Sequence, residues 1–196
     1  MYPRSRWISD RFLLRRMKKK TLSAVLGILF FLILIWADRI TKNLAVLHLK
    51  DQPEMPLIRS IFVLQYLENR GAAFGILQGR RLPLILITII ILAVVLYVYA
   101  RAPYTRKFIF LRVILVLVGA GAVGNFVDRI SNGYVVDFLY FKAINFPIFN
   151  VADIYVVAAA VLLIYAVLFL FQEEDFAALK DRLVPHRSRH SEKNHE

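Results

Sequence analysis

Three aspartates in a strongly apolar part of the chain are the side chains best suited to acid–base chemistry. Asp128, Asp137 and Asp153 lie in the stretch from Gly124 to Asp153, and two of them adjoin segments long enough to cross a bilayer. An ionised carboxylate close to hydrocarbon is costly to keep, so a functional role is its default explanation. The chemistry of these acids is therefore the first question that the sequence raises.

Asp137 and Asp153 are the pair to which we assign catalysis. They lie in the apolar contexts VVDF and FNVAD. Apolar surroundings disfavour the charged form of a carboxyl group, and a second carboxylate nearby disfavours it further. Two such acids can share one proton, so that one takes a proton from water while the other donates to a carbonyl oxygen. This arrangement predicts hydrolysis of an amide bond.

Asp128 has a different setting, because Arg129 follows it and Asn125 precedes it by about one helical turn. We interpret Asp128 as part of a polar scaffold that pairs with a cation or caps the helix. Shifted pKa values are found in structural ion-pair networks as well as in active sites. A role as a third catalytic acid remains open.

Two further sites carry polar residues with alternative roles. Asn150 precedes the last apolar segment and is predicted to cap its N-terminus, to hold Asp153 or the substrate backbone by hydrogen bonds, or to do both. Asp38 and Lys42 form an i, i+4 pair, which is either a simple helix-end contact or a site where Lys42 meets a lipid phosphate. Asn69 to Gly75 is either a tight turn or a loop that contacts extended peptide.

The composition predicts a membrane protein. Of the 196 residues, 59% are hydrophobic and the mean hydropathy is +0.57, above the roughly 45 to 50% apolar share of soluble domains. Four apolar runs have the length of a membrane-spanning helix. They are 21–37, 82–100, 108–127 and 151–171. The predicted fold class is an all-α membrane protein with four transmembrane helices, a small extracytoplasmic β-rich region and an interfacial loop.

The segments between the runs supply the rest of the predicted organisation. Ser60 to Leu67 is rich in β-branched and aromatic residues, which favours a short strand after a turn-rich loop at 51–56. The apolar segment from Gly133 to Pro147 is predicted to lie in the membrane interface. Small residues in the third run predict tight packing of a neighbouring helix against its outer half. They are Gly119, Gly121 and Gly124.

The distribution of Lys and Arg predicts the orientation. Basic residues are concentrated at 1–20, between the second and third runs, and in the tail, so both termini are expected in the cytoplasm. The predicted domains are a basic cytoplasmic segment at 1–20, a four-helix peptidase domain at 21–171 and a polar cytoplasmic tail at 172–196. Loops 38–81 and 128–150 then face outward. The first run is interpreted as an uncleaved anchor, since no A-x-A site follows it.

Several function classes receive no support from the residues. The net charge of +12 could suggest nucleic acid, but anionic lipid at the cytoplasmic surface explains the same charge, and we expect no nucleic-acid partner. The absence of cysteine excludes thiol catalysis and disulfides. Three of the four histidines lie in the tail, no zinc or Ser-His-Asp motif is present, and no P-loop is found. No metal and no organic cofactor is predicted.

Four separate blocks of the sequence resemble bacterial lipoprotein signal peptidase, also called signal peptidase II. The blocks are DRITK at 38–42, ENRGAAFG at 68–75, GNFVDRISNGYVVDF at 124–138 and FPIFNVAD at 146–153. The resemblance implies that Asp137 and Asp153 form a catalytic dyad. It implies supporting roles for Asp38, Lys42, Asn69, Gly71, Asn125, Asp128, Arg129, Asn150 and Ala152. Relatives often carry Gln at the position of Arg39 and a small hydroxyl residue at that of Ile154.

The resemblance also implies a substrate and a location. It implies removal of signal peptides from prolipoproteins, with cleavage on the amino side of a cysteine that carries diacylglycerol, and sensitivity to globomycin-type inhibitors. The expected location is the bacterial inner membrane, with the active site at its extracytoplasmic face. Membrane phospholipid is an expected partner, and a monomer is the expected state.

Two other classes of function are compatible with acidic residues at a membrane. A proton- or cation-coupled small transporter is the main alternative, because intramembrane carboxylates also mark ion pathways. The acids of this chain gather at one boundary instead of forming a relay, which favours the peptidase. A structural membrane partner with an incidental acidic surface is the third reading.

Overall fold

The computed structural model describes residues 4–71 and 77–184, and for residues 4–16, 18 and 19 it describes the backbone only. Helices dominate these ranges. Within these ranges the helices are α1 (Arg4–Leu49), α2 (Arg81–Arg101), α3 (Arg106–Ser131), α4 (Val151–Tyr165) and α5 (Glu173–Leu183). A π-helical turn, Ala166–Leu170, extends α4. Four segments are long and apolar enough to cross a membrane: Lys20–Leu49, Arg81–Arg101, Arg106–Ser131 and Val151–Leu170. The four predicted spans and the all-α membrane class are confirmed.

The first helix is longer than the sequence predicts. The apolar run was expected to end at Asp38, yet α1 continues to Leu49. Asp38 and Lys42 are buried on the face that Ala45 and Leu49 continue, and such i, i+3, i+4 spacing gives a helix one buried side. Because buried partners neutralise the two charges, they do not end the helix. The outward loop that was predicted at 38–81 therefore begins only after Leu49.

A three-stranded antiparallel sheet lies beside the outward end of the helices. Its strands are β1 (Met55–Ile58), β2 (Phe62–Asn69) and β3 (Val135–Phe141), in the order β1-β2-β3. The predicted strand at 60–67 corresponds to β2. The predicted interfacial segment is more regular than a loop, since its first half forms β3 and a short 3-10 turn follows at Lys142–Ile144. Val135, Val136 and Phe138 are buried. Val135 and Val136 pair with Asn69 and Glu68 of β2, whereas the backbone N–H of Phe138 donates to the carbonyl oxygen of Phe149 at 3.0 Å.

The register of β2 and β3 places one polar residue of each strand on the same face. Leu67 pairs with Asp137 and Asn69 pairs with Val135, so Asn69 lies diagonally from Asp137. Diagonal neighbours across an antiparallel pair are within reach of polar side chains. Non-local strand pairing therefore brings together two residues that are 68 positions apart.

The helices α3 and α4 pack closely at small residues, as the glycine pattern predicts. A Cβ atom built on Gly121 would lie 2.5 Å from the carbonyl oxygen of Ala152, and one built on Gly124 would lie 3.2 Å from the Ala152 Cβ. Gly119 instead faces Phe31 and Val95 at ordinary contact distances. This packing fixes the position of the first turn of α4 against the last turns of α3.

The tail after the fourth span begins with a helix that the sequence analysis did not predict. Asp175 of α5 accepts a 2.7 Å hydrogen bond from Lys107. Leu179 packs against a buried cluster that includes Ala102 and Phe108, at the end of α2 and the start of α3. Residues 185–196 of the predicted polar tail lie outside the described residues.

Candidate active site

The two predicted catalytic acids approach the same point from different elements. Asp137 lies on β3 and is 1% exposed, whereas Asp153 lies in the first turn of α4 and is half-buried. The two are linked through one residue, Asn150, which precedes α4. The site therefore depends on how the sheet meets the start of the fourth membrane helix.

Asn150 is fully buried and contacts both acids. Its Nδ2 donates to Asp137 Oδ1 at 2.6 Å, and its Oδ1 accepts from the backbone N–H of Asp153 at 3.1 Å. Its own backbone N–H donates to Asp153 Oδ2 at 3.0 Å, which completes a capping box at the N-terminus of α4. The predicted capping role of Asn150 is confirmed, and its contact with Asp137 adds a function that the sequence did not indicate.

The second oxygen of Asp137 is held from β2. Asn69 Nδ2 donates to Asp137 Oδ2 at 2.8 Å, while Asn69 Oδ1 accepts from the backbone N–H of Gly71 at 2.9 Å. The second bond orients the amide, because an oxygen that accepts from Gly71 leaves the nitrogen directed at the carboxyl group. Both oxygens of Asp137 are therefore held by amide donors.

Asn125 holds Asp153 in the same way as Asn69 holds Asp137. Its Nδ2 donates to Asp153 Oδ1 at 2.7 Å, and its Oδ1 accepts from Lys42 Nζ at 2.9 Å and from Asn150 Nδ2 at 3.1 Å. Two donors on the oxygen determine which way this amide points. The two acids thus share a continuous hydrogen-bonded network through Asn125 and Asn150.

A buried ion cluster supports this network from the side of α1. Lys42, 2% exposed, lies 3.0 Å from Asp38 Oδ2 and 2.9 Å from Asp128 Oδ2. Asp38 Oδ1 accepts from the backbone N–H of Ala152 at 3.1 Å, so α1 also holds the first turn of α4. Lys42 is enclosed by protein groups, which does not match the hypothesis of an open phosphate site at this residue. Such clusters keep charges within membrane proteins by pairing them.

Two arginines complete the surroundings. Arg39, which the sequence analysis did not choose, pairs with Asp128 at 2.8 Å and donates to the carbonyl oxygen of Gly124 at 3.0 Å. The sequence did offer a signal for Arg39, because it lies in the DRITK block and its partner Asp128 lies in the block at 124–138. Arg129 donates to the carbonyl oxygens of Gly71 at 3.3 Å and Asn125 at 3.4 Å, and so joins the end of β2 to α3.

The environment of Asp137 favours its neutral form. Burial raises the pKa of Asp137 to about 7, and the charge of Asp153 adds to the rise. The hydrogen bonds from Asn69 and Asn150 and the charge of Lys42 act in the opposite direction. Like charges that interact in a low-dielectric site cannot both ionise easily. The arrangement therefore favours a protonated Asp137 near neutral pH, close to a second carboxyl group.

All of the residues predicted to form the site lie in one connected region. The supporting set is Asp38, Lys42, Asn69, Gly71, Asn125, Asp128, Arg129, Asn150 and Ala152, and each makes a contact described above. The rest of the predicted peptide-contacting loop, at 72–75, lies outside the described residues. Among the side chains that the structure describes, at 17, 20–71 and 77–184, no group of three or more His, Asp or Glu is arranged to hold a metal ion.

Comparisons of the sequence with known proteins all point to one family. The family profile described as Signal peptidase (SPase) II matches residues 30–169, which include every residue of the site. The lipoprotein signal peptidase of Halothermothrix orenii is 43% identical over 73% of this chain and 93% of its own length. That of Clostridium novyi is 41% identical over 76% of this chain and 97% of its own length.

Two solved structures, each described as a bacterial membrane enzyme, resemble the fold. One is 34% identical with a TM-score of 0.65 and covers 72% of this chain and 87% of its own. The other is 35% identical, also with a TM-score of 0.65, and covers 73% of this chain and 92% of its own. Each likeness therefore covers nearly three-quarters of this chain.

Proposed function

Because the chain belongs to the signal peptidase II family of aspartic peptidases, which removes signal peptides, we propose that Asp137 and Asp153 form its catalytic pair. The observation that carries the proposal is the shared hydrogen-bonded network. Asn150 touches both acids, and every carboxylate oxygen of the pair has an amide donor. A network of this kind holds side chains in the fixed geometry that catalysis requires.

The proposed reaction uses one proton shared by the pair. Asp153, in its ionised form, takes a proton from a water molecule whose oxygen attacks the carbonyl carbon of the scissile peptide bond. Asp137, kept neutral by burial and by the neighbouring charge, donates its proton to the carbonyl oxygen. When the tetrahedral intermediate collapses, Asp153 gives its proton to the leaving amine and the C–N bond breaks. A hydroxyl group of the intermediate returns a proton to Asp137, which restores the starting state of both acids.

The proposed substrate is a prolipoprotein anchored by diacylglycerol and cut on the amino side of its modified cysteine. Asp153 stands in the first turn of a membrane span and Asp128 in the last turn of another, so the acids lie near one membrane boundary. A lipid anchor would hold its attached peptide at that level. The sheet beside the acids would limit access of bulk water, which strengthens electrostatic interactions in a site.

The proposed supporting residues act through the two acids. Asn69, Asn125 and Asn150 orient the carboxyl groups, while Gly71 and Arg129 fix the end of β2 against α3. Asp38, Lys42 and Asp128 hold α1, α3 and the start of α4 together, with Ala152 as the contact on α4. The distribution of basic residues supports an inner-membrane enzyme with cytoplasmic termini and an extracytoplasmic site.

A cleavage assay with purified protein in detergent tests the proposed substrate. Two precursors of identical sequence would be compared, one with a diacylglyceryl cysteine and one with an unmodified cysteine, each with and without a globomycin-type inhibitor. Processing of only the lipidated form, blocked by the inhibitor, is expected. Equal cleavage of both precursors would overturn the proposed specificity, and ion flux into proteoliposomes without any cleavage would favour a transporter.

A further inference from the structure

A cavity of about 580 Å³ lies at the end of the bundle opposite to the aspartates. It is bounded by α1 between Leu22 and Phe30, by the turn between α2 and α3, and by the first turns of α3. Arg112 in its wall is about 24 Å from Asp128 along α3, at 1.5 Å per residue. The cavity is therefore separate from the proposed active site.

The interior of the cavity is apolar and opens on the lipid-facing surface. Leu26, Phe30 and Ile109 line it and are each at least partly exposed, and Val113 and Val116 form its deeper wall. Gly27 on α1 leaves room for the ring of Tyr99, because a Cβ atom there would collide with the tyrosine hydroxyl. The volume lies within the roughly 300 to 1,000 Å³ typical of small-molecule sites. Its lining suits a hydrocarbon chain.

Arg112 brings a positive charge into the wall of this apolar cavity. It is 3% exposed, and its guanidinium donates to the carbonyl oxygens of Tyr99 at 2.7 Å and Ala102 at 2.6 Å. These bonds satisfy the end of α2 but do not neutralise the charge. Its Nε has no hydrogen-bond partner, and no carboxylate of the described residues pairs with it. A buried charge without a counter-ion is costly in a membrane.

The rim of the cavity carries more positive charge. Arg106 lines it and is exposed, and Lys20 Nζ lies 5.2 Å from the centre of the Tyr104 ring, which also stacks on Arg112. No Asp or Glu is among the lining residues. The neighbouring Lys107 differs, since Asp175 already pairs with it at 2.7 Å. The site therefore combines an apolar interior with a cationic rim for which the described side chains provide no counter-ion.

We propose that this cavity binds one anionic glycerophospholipid. An acyl chain lies between α1 and α3, and the phosphate faces Arg106 and the free Nε of Arg112. A neutral apolar occupant would fill the interior but leave the buried guanidinium without a counter-ion. A phosphate supplies the negative charge and the acceptor that Arg112 lacks. Basic residues close to anionic headgroups each contribute measurably to such binding.

The test measures lipid retained by the full-length protein. The protein would be placed in nanodiscs of phosphatidylcholine with a minor fraction of phosphatidylglycerol. After the protein is released from the nanodiscs, native mass spectrometry would count the lipid molecules that remain bound to it. One retained phosphatidylglycerol per chain is expected. Arg106→Gln should lower the preference for phosphatidylglycerol about fivefold. Lys180→Gln, which removes an equal charge from the exposed face of α5, should leave it nearly unchanged.

A second pair of variants tests the apolar interior without changing charge. Leu26→Trp fills the cavity and should remove the retained lipid, whereas Leu32→Trp, on the lipid-facing surface of the same helix, should keep it. Precursor cleavage in phosphatidylcholine at the wild-type rate shows that each variant is folded. Equal losses in Arg106→Gln and Lys180→Gln would overturn the proposal, as would equal retention of the two lipids. The proposal would also be overturned if inorganic phosphate alone displaced the retained phosphatidylglycerol, or if the protein formed a dimer that retains no lipid.

Discussion

Asn150 donates a 2.6 Å hydrogen bond from its Nδ2 to Oδ1 of Asp137, and this bond joins the sheet to the start of the fourth membrane helix. The residue is also the N-cap of α4, the helix that carries Asp153. The same amide thus stabilises a helix end and sets the relative position of two acids. The geometry of the proposed catalytic pair follows directly from how α4 begins.

Separating these two tasks of Asn150 gives the first prediction. Asn150→Ser retains an N-cap oxygen but removes the donor to Asp137, so we expect little change in stability and a loss of cleavage on the order of 100-fold. Asn150→Ala should lose cleavage similarly and in addition destabilise the protein by about 1 kcal/mol. Thermal unfolding and initial cleavage rates measure the two effects. Gln172→Ala, at the N-cap position of α5, is the control and should leave cleavage intact.

The pH dependence of cleavage should follow the proton shared by the pair. Because burial and the charge of Asp153 raise the pKa of Asp137 to about 7, the rate should fall as the pH increases through about 7 and Asp137 loses its proton. On the acid side the rate should fall when the pair binds a second proton, which gives a bell-shaped profile. Initial rates between pH 4 and 9 measure the profile. A rate that stays constant above pH 7 would contradict a role for protonated Asp137.

Lys42 is predicted to matter for stability more than its i, i+4 spacing suggests. Lys42→Met leaves Asp38 and Asp128 buried without their shared cation, and breaking a buried pair in this way costs about 3 to 5 kcal/mol. We expect a large fall in the melting temperature in detergent.

The matched control for Lys42 is an exposed ion pair of the same type. Lys50 lies 3.4 Å from Glu68 with both side chains partly exposed, and such pairs contribute about 0 to 1 kcal/mol. Lys50→Met should therefore change the melting temperature little. Equal effects of the two substitutions would show that Lys42 is not an internal counter-ion.

Two glycines of α3 provide a test of the close packing that positions Asp153. A Cβ atom on Gly121 would lie 2.5 Å from the Ala152 carbonyl oxygen and 2.6 Å from Val156 Cγ2, so Gly121→Ala must separate α3 from α4. Overpacking of this kind costs about 1 to 3 kcal/mol. Gly119→Ala places its Cβ at 3.6 Å or more from its neighbours and should be tolerated. Melting temperatures and cleavage rates of the two variants should differ, and equal values would argue against the packing.

The spans and the acids could be predicted because their signals are local. Runs of apolar residues identify membrane helices, and carboxylates within them stand out. The end of α1 could not be read in this way, because Asp38 and Lys42 look like residues of a helix terminus. Their partners on α3 and α4 make them core residues, and these contacts are not visible in the sequence. The partners are Asn125, Asp128 and Ala152.

The sheet and the asparagine network show a second limit of the sequence. The segment that forms β3 is apolar on both faces, which is compatible with a buried strand or an interfacial loop. Its pairing with β2 decides between them, and the same pairing brings Asn69 to Asp137. In contrast, α5 carried a readable signal. Its acidic first turn and the partly buried Leu179 on one face are typical of a short amphipathic helix.

The most direct test of the account is cleavage of a lipidated precursor by Asp137→Asn and Asp153→Asn. Each substitution keeps the shape of the side chain but removes the carboxyl group that must exchange a proton. The account predicts that both purified variants lose cleavage while their melting temperatures and elution profiles remain those of folded protein. Cleavage at a rate near that of the wild type by either folded variant would contradict it.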